Sequence, residues 1–137
     1  MPGLPAPIFG GALMTIEEAI DQCNQIKPNS YDRDFMLQWL SEVDGRIFTE
    51  IWKAHIGAEN ETFSGYDGST PSDTELLAVY PYEGLYVHYL CAMVDYYNNE
   101  YARYNNGMMQ FNEVYGDYSK WYNRTNFTKD VRVKVEE

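Results

Sequence analysis

The side chains best suited to catalysis in this chain of 137 residues are two histidines, which could serve as general bases or metal ligands. His55 ends an amphipathic stretch, where a cation would suit a helix dipole, and His88 lies between two tyrosines. Neither belongs to an HExxH pattern or has carboxylates at ligand spacing. We therefore expect structural roles for both and no metal site.

The cysteine, serine and acidic side chains give little further evidence of a catalytic or redox site. Cys23 and Cys91 form no CxxC pair, and Cys91 lies in an apolar run, so buried free thiols are favoured over a disulfide or redox pair. Asp32 and Asp34 are two positions apart and would point in different directions on a helix. The loop serines lack a GxSxG frame. The sequence predicts no catalytic residue, no cofactor and no enzyme.

Charge is unevenly distributed along the chain, whose net charge is -11. Residues 1–100 contain 16 acidic and 4 basic side chains, whereas residues 101–137 contain 5 acidic and 6 basic ones. An acidic body repels phosphates and anionic headgroups. No run approaches the roughly 18 apolar residues that a membrane span needs. We therefore expect neither sequence-specific nucleic-acid binding nor membrane binding.

Apolar periodicity predicts an all-α fold, a bundle of about four helices within one domain at residues 15–126. A capping box of Thr15 and Glu18 starts the first helix, which ends near Lys27. The second helix is predicted at residues 31–55 and the third at residues 81–105. An Asn-Asn-Gly turn at residues 105–107 separates the third from a fourth that ends near Arg124.

The faces of these helices predict how they pack. Ile26 belongs to the apolar stripe of the first helix, and Asp44 to the polar side of the second. The third helix is apolar on two faces and should lie centrally, antiparallel to the fourth. The fourth carries a seam of aromatic and apolar residues at steps of three and four, namely Met108, Phe111, Tyr115, Tyr118 and Tyr122. The residues expected to be largely buried are Trp39, Leu40, Ile47, Leu90, Val94, Phe111 and Tyr115.

Three segments fall outside this helical pattern. Residues 1–14 are predicted to form a flexible arm. The loop at residues 57–75 is longer than ordinary connections and is predicted to become ordered only on contact with a neighbour. Valines alternate with charged residues in the tail at residues 127–137, which predicts a short C-terminal β-strand that pairs with another segment or subunit.

The chain has 13 tyrosines, most of them between residues 80 and 126. A tyrosine ring with its polar tip suits surfaces that a partner covers. Core packing accounts for about half of these rings, and a subunit interface accounts better for the rest. The candidate interface residues are Phe63, Tyr66, Tyr96, Tyr97, Tyr101, Tyr104, Tyr118, Val131, Val133 and Val135.

Three segments together resemble a known family. They are YDRDFMLQWLSEVDGRIFTEI at residues 31–51, PYEGLYVHYLCAMVDYYNNEYARYNN at residues 81–106 and MQFNEVYGDYSKWYNRTN at residues 109–126. In these segments the chain is similar to the head–tail connector, or adaptor, proteins of long-tailed phages and prophages. The similarity covers roughly residues 15–126.

This resemblance implies a non-enzymatic virion structural protein, a homo-oligomeric ring that joins portal and tail around the DNA channel. It implies partnership with the portal and with tail-side neck proteins. The protein would be found in the host bacterial cytoplasm during assembly and afterwards in the virion neck.

Two other hypotheses remain open from the residues alone. One is a small helical binding or regulatory protein that acts as a monomer or dimer. The other, with the least support, is a hydrolase with its site in the loop at residues 57–75.

Overall fold

The computed structural model describes residues 13–55 and 61–126, and this part of the chain is mostly helical. Its four α-helices are α1 (Ile16–Ile26), α2 (Arg33–Arg46), α3 (Gly84–Tyr97) and α4 (Tyr101–Thr125). A π-helical turn (Ile47–Ile51) and a 3-10 turn (Trp52–Ala54) continue α2 directly. The described residues contain no strand, only one isolated antiparallel bridge between Thr15 and Glu75. The all-α prediction is confirmed; residues 1–12 of the predicted arm at 1–14, and the predicted tail strand, lie outside the described residues.

The capping box that the sequence predicts is present at the start of α1. Thr15 Oγ1 accepts a hydrogen bond from the Glu18 backbone N–H at 3.2 Å, and Glu18 Oε1 accepts one from the Thr15 N–H at 2.9 Å. Met14 is buried in the core, and its carbonyl accepts from the Leu76 N–H. Placing Met14 in a flexible arm was therefore wrong, because the segment before α3 holds it. The prediction that Ile26 belongs to the buried apolar stripe of α1 was also wrong, since its side chain is 64% exposed.

Helices α3 and α4 form the predicted antiparallel hairpin. Ring contacts pair Tyr96 with Tyr104 at the turn and Tyr82 with Tyr118 at the far end. Between these two pairs, Tyr89 faces Phe111. The residue numbers of the partners thus decrease toward the start of α3 as they increase along α4, which is the pairing expected of two antiparallel helices. Because α3 also packs on α1 and α2, it is the central helix of the bundle.

The turn between these helices lies earlier than the sequence predicted. α3 ends at Tyr97, and Asn99 adopts a positive φ of 64°. The Glu100 N–H donates to the Asp95 carbonyl and the Asn99 N–H to the Tyr96 carbonyl, which together make a Schellman motif. Asparagine is among the few side-chain-bearing residues that adopt this conformation readily, so Asn98-Asn99, rather than residues 105–107, forms the turn.

Gly107, which the sequence predicts in a turn, lies inside α4 at a position where α3 and α4 approach closely. A Cβ at this position would lie 3.0 Å from the Ala92 Cβ and 3.4 Å from the Ala92 Cα. Gly116 lies on the same helix, but a Cβ there would meet nothing within 4 Å. Glycine at position 107 therefore permits close packing of the hairpin, while position 116 has no such requirement.

The two glycines give a matched prediction. Gly116→Ala should raise the free energy of unfolding by about 0.5–1 kcal/mol, because alanine is the better helix former. The free energy of unfolding of Gly107→Ala should be lower than that of Gly116→Ala by about 1 kcal/mol or more, because the added methyl group clashes with Ala92. Urea unfolding measures both. Equal effects at the two positions would contradict the close approach.

The predicted core is confirmed with one exception. Trp39, Leu40, Ile47, Leu90, Val94 and Phe111 are buried. Tyr115 is only half-buried, because its hydroxyl donates to Glu50 at 2.7 Å and the Arg46 guanidinium lies 4.5 Å from the ring centroid. A tyrosine at the edge of the seam can thus pack its ring and keep its polar tip near the surface.

Candidate interaction surface

Six aromatic side chains gather at the end of the bundle where α3 turns into α4. Tyr31 and Phe35 come from the start of α2 and the residues before it, and the others come from the two sides of the turn. We call this set the aromatic surface; its members are Tyr31, Phe35, Tyr96, Tyr97, Tyr101 and Tyr104. The sequence predicted four of them as interface residues, and the structure brings those four together.

Much of the aromatic surface faces solvent. Phe35 is 47% exposed, Tyr96 42%, Tyr97 51% and Tyr101 54%. Tyr31 and Tyr104 are half-buried, and Tyr31 links the exposed rings to the core through buried Trp39. Large aromatic side chains that remain exposed side by side are uncommon on a protein that has no partner. This end of the bundle is therefore the best candidate for contact.

The rings of the aromatic surface are held in place by one another and by the core. The Tyr97 ring stacks on buried Trp39, with centroids 5.7 Å apart and an interplanar angle of 14°. Tyr96 packs edge-on to Tyr97 and against Tyr104, both at 5.1 Å. Tyr31 touches Phe35 at 6.3 Å. Since each ring has at least one aromatic neighbour, binding a partner would cost little further ordering.

Hydrogen bonds to the turn fix two of the polar tips. The Tyr31 hydroxyl donates to Asn98 Oδ1 at 2.7 Å, and the Tyr101 hydroxyl donates to Asn99 Oδ1 at 3.0 Å. The same two asparagines that reverse the chain thus orient tyrosines on either side of it. The aromatic surface is a pre-organised apolar patch with polar atoms along its edge, which is the usual composition of a protein–protein contact.

Other predicted interface residues do not belong to the aromatic surface. Tyr118 is fully buried, and its hydroxyl accepts from Trp52 Nε1 at 3.0 Å, so it is a core residue and its assignment was wrong. Phe63 packs against Phe48 and Tyr66 on the chain's own surface. The predicted tail residues Val131, Val133 and Val135 lie outside the described residues.

The sequence analysis did not include Tyr31 and Phe35 among the candidate interface residues. Phe35 lies four positions before Trp39, so the two share a helix face, which favours a core position for both. In the structure Trp39 is buried but Phe35 is 47% exposed, so Phe35 lies at the edge of the packed face. The sequence gives no direct sign that the turn residues would reach it.

A second cluster, around Asp44, fixes the long connection between α2 and α3. Asp44 is fully buried, although the sequence placed it on a polar face. Its carboxylate accepts from the hydroxyls of Tyr66 and Tyr86, each at 2.5 Å, and from the Leu77 N–H at 3.2 Å. The Tyr86 hydroxyl in turn accepts from the Ala78 N–H at 2.6 Å. A carboxylate with three donors can be buried, so it joins α2, α3 and the connection.

The same contacts correct the prediction that the loop is ordered only against a neighbour. Residues 61–75 fold against the chain's own α2. The Tyr66 N–H donates to Ser41 Oγ at 2.7 Å, and Phe63 and Tyr66 pack edge to face. Two aromatic side chains, Phe63 and Tyr66, are sufficient to anchor these residues because buried Asp44, which the sequence predicts on a polar face, accepts a hydrogen bond from the Tyr66 hydroxyl.

Asp44 should make stability depend on pH. Burial outweighs the hydrogen bonds and raises the pKa of this carboxyl from 3.8 to about 6. The folded chain thus retains the proton to a higher pH than the unfolded chain, and protonation favours folding. The contribution of Asp44 is therefore fully present below about pH 4 and is lost as pH rises through about 6, by about 3 kcal/mol in all.

This pH dependence is measured by urea unfolding between pH 4 and 7, with the Asp44→Asn variant as the reference. Because the amide does not titrate, subtracting the two profiles removes the contribution of every other carboxylate. A difference between wild type and variant that stays constant across this range would contradict the raised pKa.

Both histidines have structural surroundings. His55 is buried, and its Nδ1 lies 2.6 Å from the Ile51 carbonyl, which can only accept, so this nitrogen carries the proton. The His55 ring packs edge-on to Tyr122 at 4.7 Å. His88 is half-buried on α3. Neither has a serine or carboxylate hydrogen bond among those of the described residues.

Comparison with known proteins adds no relative to this description. Scans against protein-family models, curated proteins and solved structures each find no match. Within residues 13–55 and 61–126, no group of three His, Cys, Asp or Glu side chains is placed to hold a metal ion. No helix of that part is long and apolar enough to cross a membrane. The aromatic surface and the charge of the chain are therefore the features that bear on function.

Proposed function

We propose that this chain is a non-enzymatic structural subunit of a phage or prophage, a head–tail connector that forms a ring between portal and tail. The aromatic surface carries the proposal. Four of its rings remain 42–54% exposed in the single chain, yet each is held by ring contacts, and Tyr101 also by a hydrogen bond to Asn99. Aromatic anchors of this kind supply much of the energy in protein interfaces. The partner that covers the aromatic surface is a second copy of this chain.

The length of α4 supports contact between two different surfaces. The aromatic surface lies at the first residues of α4, while the tail follows its last residue. A helix of 25 residues separates them by about 37 Å. A ring requires each subunit to present one surface to its left neighbour and a different one to its right. The aromatic end and the tail end are two such surfaces.

Charge supports both the choice of a second copy and the channel. The tail contains Lys129, Arg132 and Lys134 but also Asp130, Glu136 and Glu137, so it is neutral overall, whereas the body at residues 1–100 has four times as many acidic as basic side chains. A neutral tail can approach the acidic body of the next subunit without the repulsion that two acidic surfaces would have. An acidic channel wall would also let DNA slide without adhering. The protein would assemble in the host cytoplasm and remain in the virion neck, between the portal and tail-side neck proteins.

The test is assembly of the purified chain, followed by sedimentation velocity and negative-stain microscopy. Closed rings are expected, and the double variant Phe35→Ser/Tyr101→Ser should raise the apparent dissociation constant about 30-fold or more. The matched control is Ile26→Ser/Met109→Ser, since these side chains are even more exposed, at 64% and 69%, but lie outside the aromatic surface. This control should assemble as the wild type does.

Deleting residues 129–137 tests the other end. The helical circular-dichroism signal should remain, and self-association should weaken. If wild type stays monomeric or dimeric at every concentration and neither change alters it, the connector proposal is wrong. Binding of another protein through the aromatic surface by such a monomer or dimer would favour a small binding or regulatory protein instead.

A further inference from the structure

Two cysteines that are 68 positions apart in the sequence meet between α1 and α3. The Sγ atoms of Cys23 and Cys91 lie 3.8 Å apart, and both thiols are free. Cys23 is fully buried on the inner face of α1. Cys91 is half-buried and lines a cleft of about 370 Å³ bounded by α1, α3 and α4. A small solute in the cleft can therefore reach Cys91, with Cys23 directly behind it.

The surroundings make the two thiols unequal. The contact with Cys23 lowers the pKa of Cys91 first of all, and the nearby Lys27 ammonium acts in the same direction against burial. The same contact, together with burial, raises the pKa of Cys23. Lys27 is held in place by an ion pair of 3.0 Å with Asp95, whose carboxylate raises the pKa of Cys91 but by less than the ammonium lowers it. Cys91 is thus the thiol that ionises first and reacts as the nucleophile, and Cys23 keeps its proton.

We propose that Cys91 and Cys23 are a site of reversible oxidation by hydrogen peroxide, ending in an intrachain disulfide that links α1 to α3. The Cys91 thiolate attacks one peroxide oxygen, so that an S–O bond forms, the O–O bond breaks and hydroxide leaves. Cys91 becomes a sulfenic acid, and the proton lost by its thiol converts the hydroxide to water.

The second step uses the buried thiol. The Cys23 sulfur attacks the Cys91 sulfur, the S–S bond forms and the S–O bond breaks, and the hydroxyl group leaves as water with the Cys23 proton. Two thiols are oxidised by two electrons in total, and one peroxide is reduced to two waters. A thiol such as dithiothreitol reverses the link by exchange.

The geometry favours this step over further oxidation of Cys91. A disulfide has an S–S bond of about 2.05 Å, so the sulfurs must approach by less than about 2 Å. A cysteine pair that served packing alone would be closed to solvent, whereas here one member opens onto the cleft. The link would fix α1, which forms one wall of that cleft, against α3. It acts alike in a monomer and in a ring.

The test treats the purified full chain with hydrogen peroxide, blocks remaining thiols under denaturing conditions and maps peptides by mass spectrometry. The expected product has lost two hydrogen atoms, contains the peptide pair joined through Cys23 and Cys91, and is restored by dithiothreitol. In Cys23→Ser, dimedone should trap a sulfenic acid at Cys91. In Cys91→Ser, Cys23 should stay reduced. A product with sulfinic acid at Cys91 and no link, or links only between chains, would overturn the proposal.

An equilibrium measurement needs no substitution. In a glutathione redox buffer, the fraction of linked wild-type chain is compared between native conditions and urea. Because native packing holds the sulfurs together, the equilibrium constant for the link should be about 10²-fold larger in the folded chain. The linked chain should also unfold at a temperature higher by about 5–15 °C. Equal constants in the two conditions would show that the fold does not bring the thiols together.

Discussion

Replacing Phe111 by alanine is expected to lower the free energy of unfolding by about 3–5 kcal/mol. The ring is fully buried in the middle of the α3–α4 hairpin, with its centroid 5.1 Å from that of Tyr89 and 5.5 Å from that of Tyr115. The two helices cannot move together to fill the gap, because Gly107 already rests on Ala92 one turn earlier. The cavity would therefore persist, and urea unfolding would register its full cost.

The control for Phe111 is on the same helix. Met109 is 69% exposed, so Met109→Ala should change stability by no more than about 0.5 kcal/mol. Leu90→Ala, on the facing helix, should cost about 2–5 kcal/mol. If Met109→Ala were as costly as Phe111→Ala, α4 would have to present a different face to α3.

Asp44→Ala is expected to cost about 2–4 kcal/mol at neutral pH. Three donors lose their common acceptor, namely the hydroxyls of Tyr66 and Tyr86 and the Leu77 N–H. Unpaired buried groups cost about 1–3 kcal/mol each, and removal of a buried charge offsets part of the total. Because these donors lie on the connection and on α3, the effect should spread beyond α2.

Asp44→Ala should also destabilise the connection between α2 and α3 in particular, in addition to lowering the stability of the whole fold. Amide hydrogen exchange should accelerate between residues 61 and 79 before the hairpin of α3 and α4 opens. Asp21→Ala is the control, since Asp21 is exposed in the middle of α1 and its replacement should leave that exchange unchanged. Faster exchange confined to α2 itself would show that Asp44 does not hold the connection.

Local signals in the sequence predicted the helices and most of the core. The capping box at Thr15 and the seam through Phe111 depend on spacings of three and four residues, which one sequence displays directly. The end of α3 was harder to predict, because the Asn-Asn pairs at residues 98–99 and 105–106 lie seven positions apart and both favour a turn. What decides between them is the contact of Gly107 with Ala92, which exists only after the helices pack.

The candidate site likewise contains residues that local sequence signals predicted and residues that they did not. Tyrosine enrichment identified Tyr96, Tyr97, Tyr101 and Tyr104, since rings in excess of what a core needs must lie at a surface. Tyr118 has the same residue type and a similar spacing, and only its neighbour Trp52 shows that it is buried. The burial of Asp44 was not predicted for a related reason. Its donors come from residues 66–86, and no pattern in one sequence links a carboxylate to hydroxyls so far along the chain.

The placement of the three tryptophans makes both ends of the bundle visible to fluorescence. Trp39 lies beneath Tyr97 at the aromatic surface, whereas Trp52 stacks on Tyr122 and Trp121 packs against Tyr82, both near the end of α4. With phenylalanine at positions 52 and 121, emission would report the aromatic surface alone; with phenylalanine at position 39, it would report the opposite end. The chain thus contains its own spectroscopic labels for deciding which end a partner covers first.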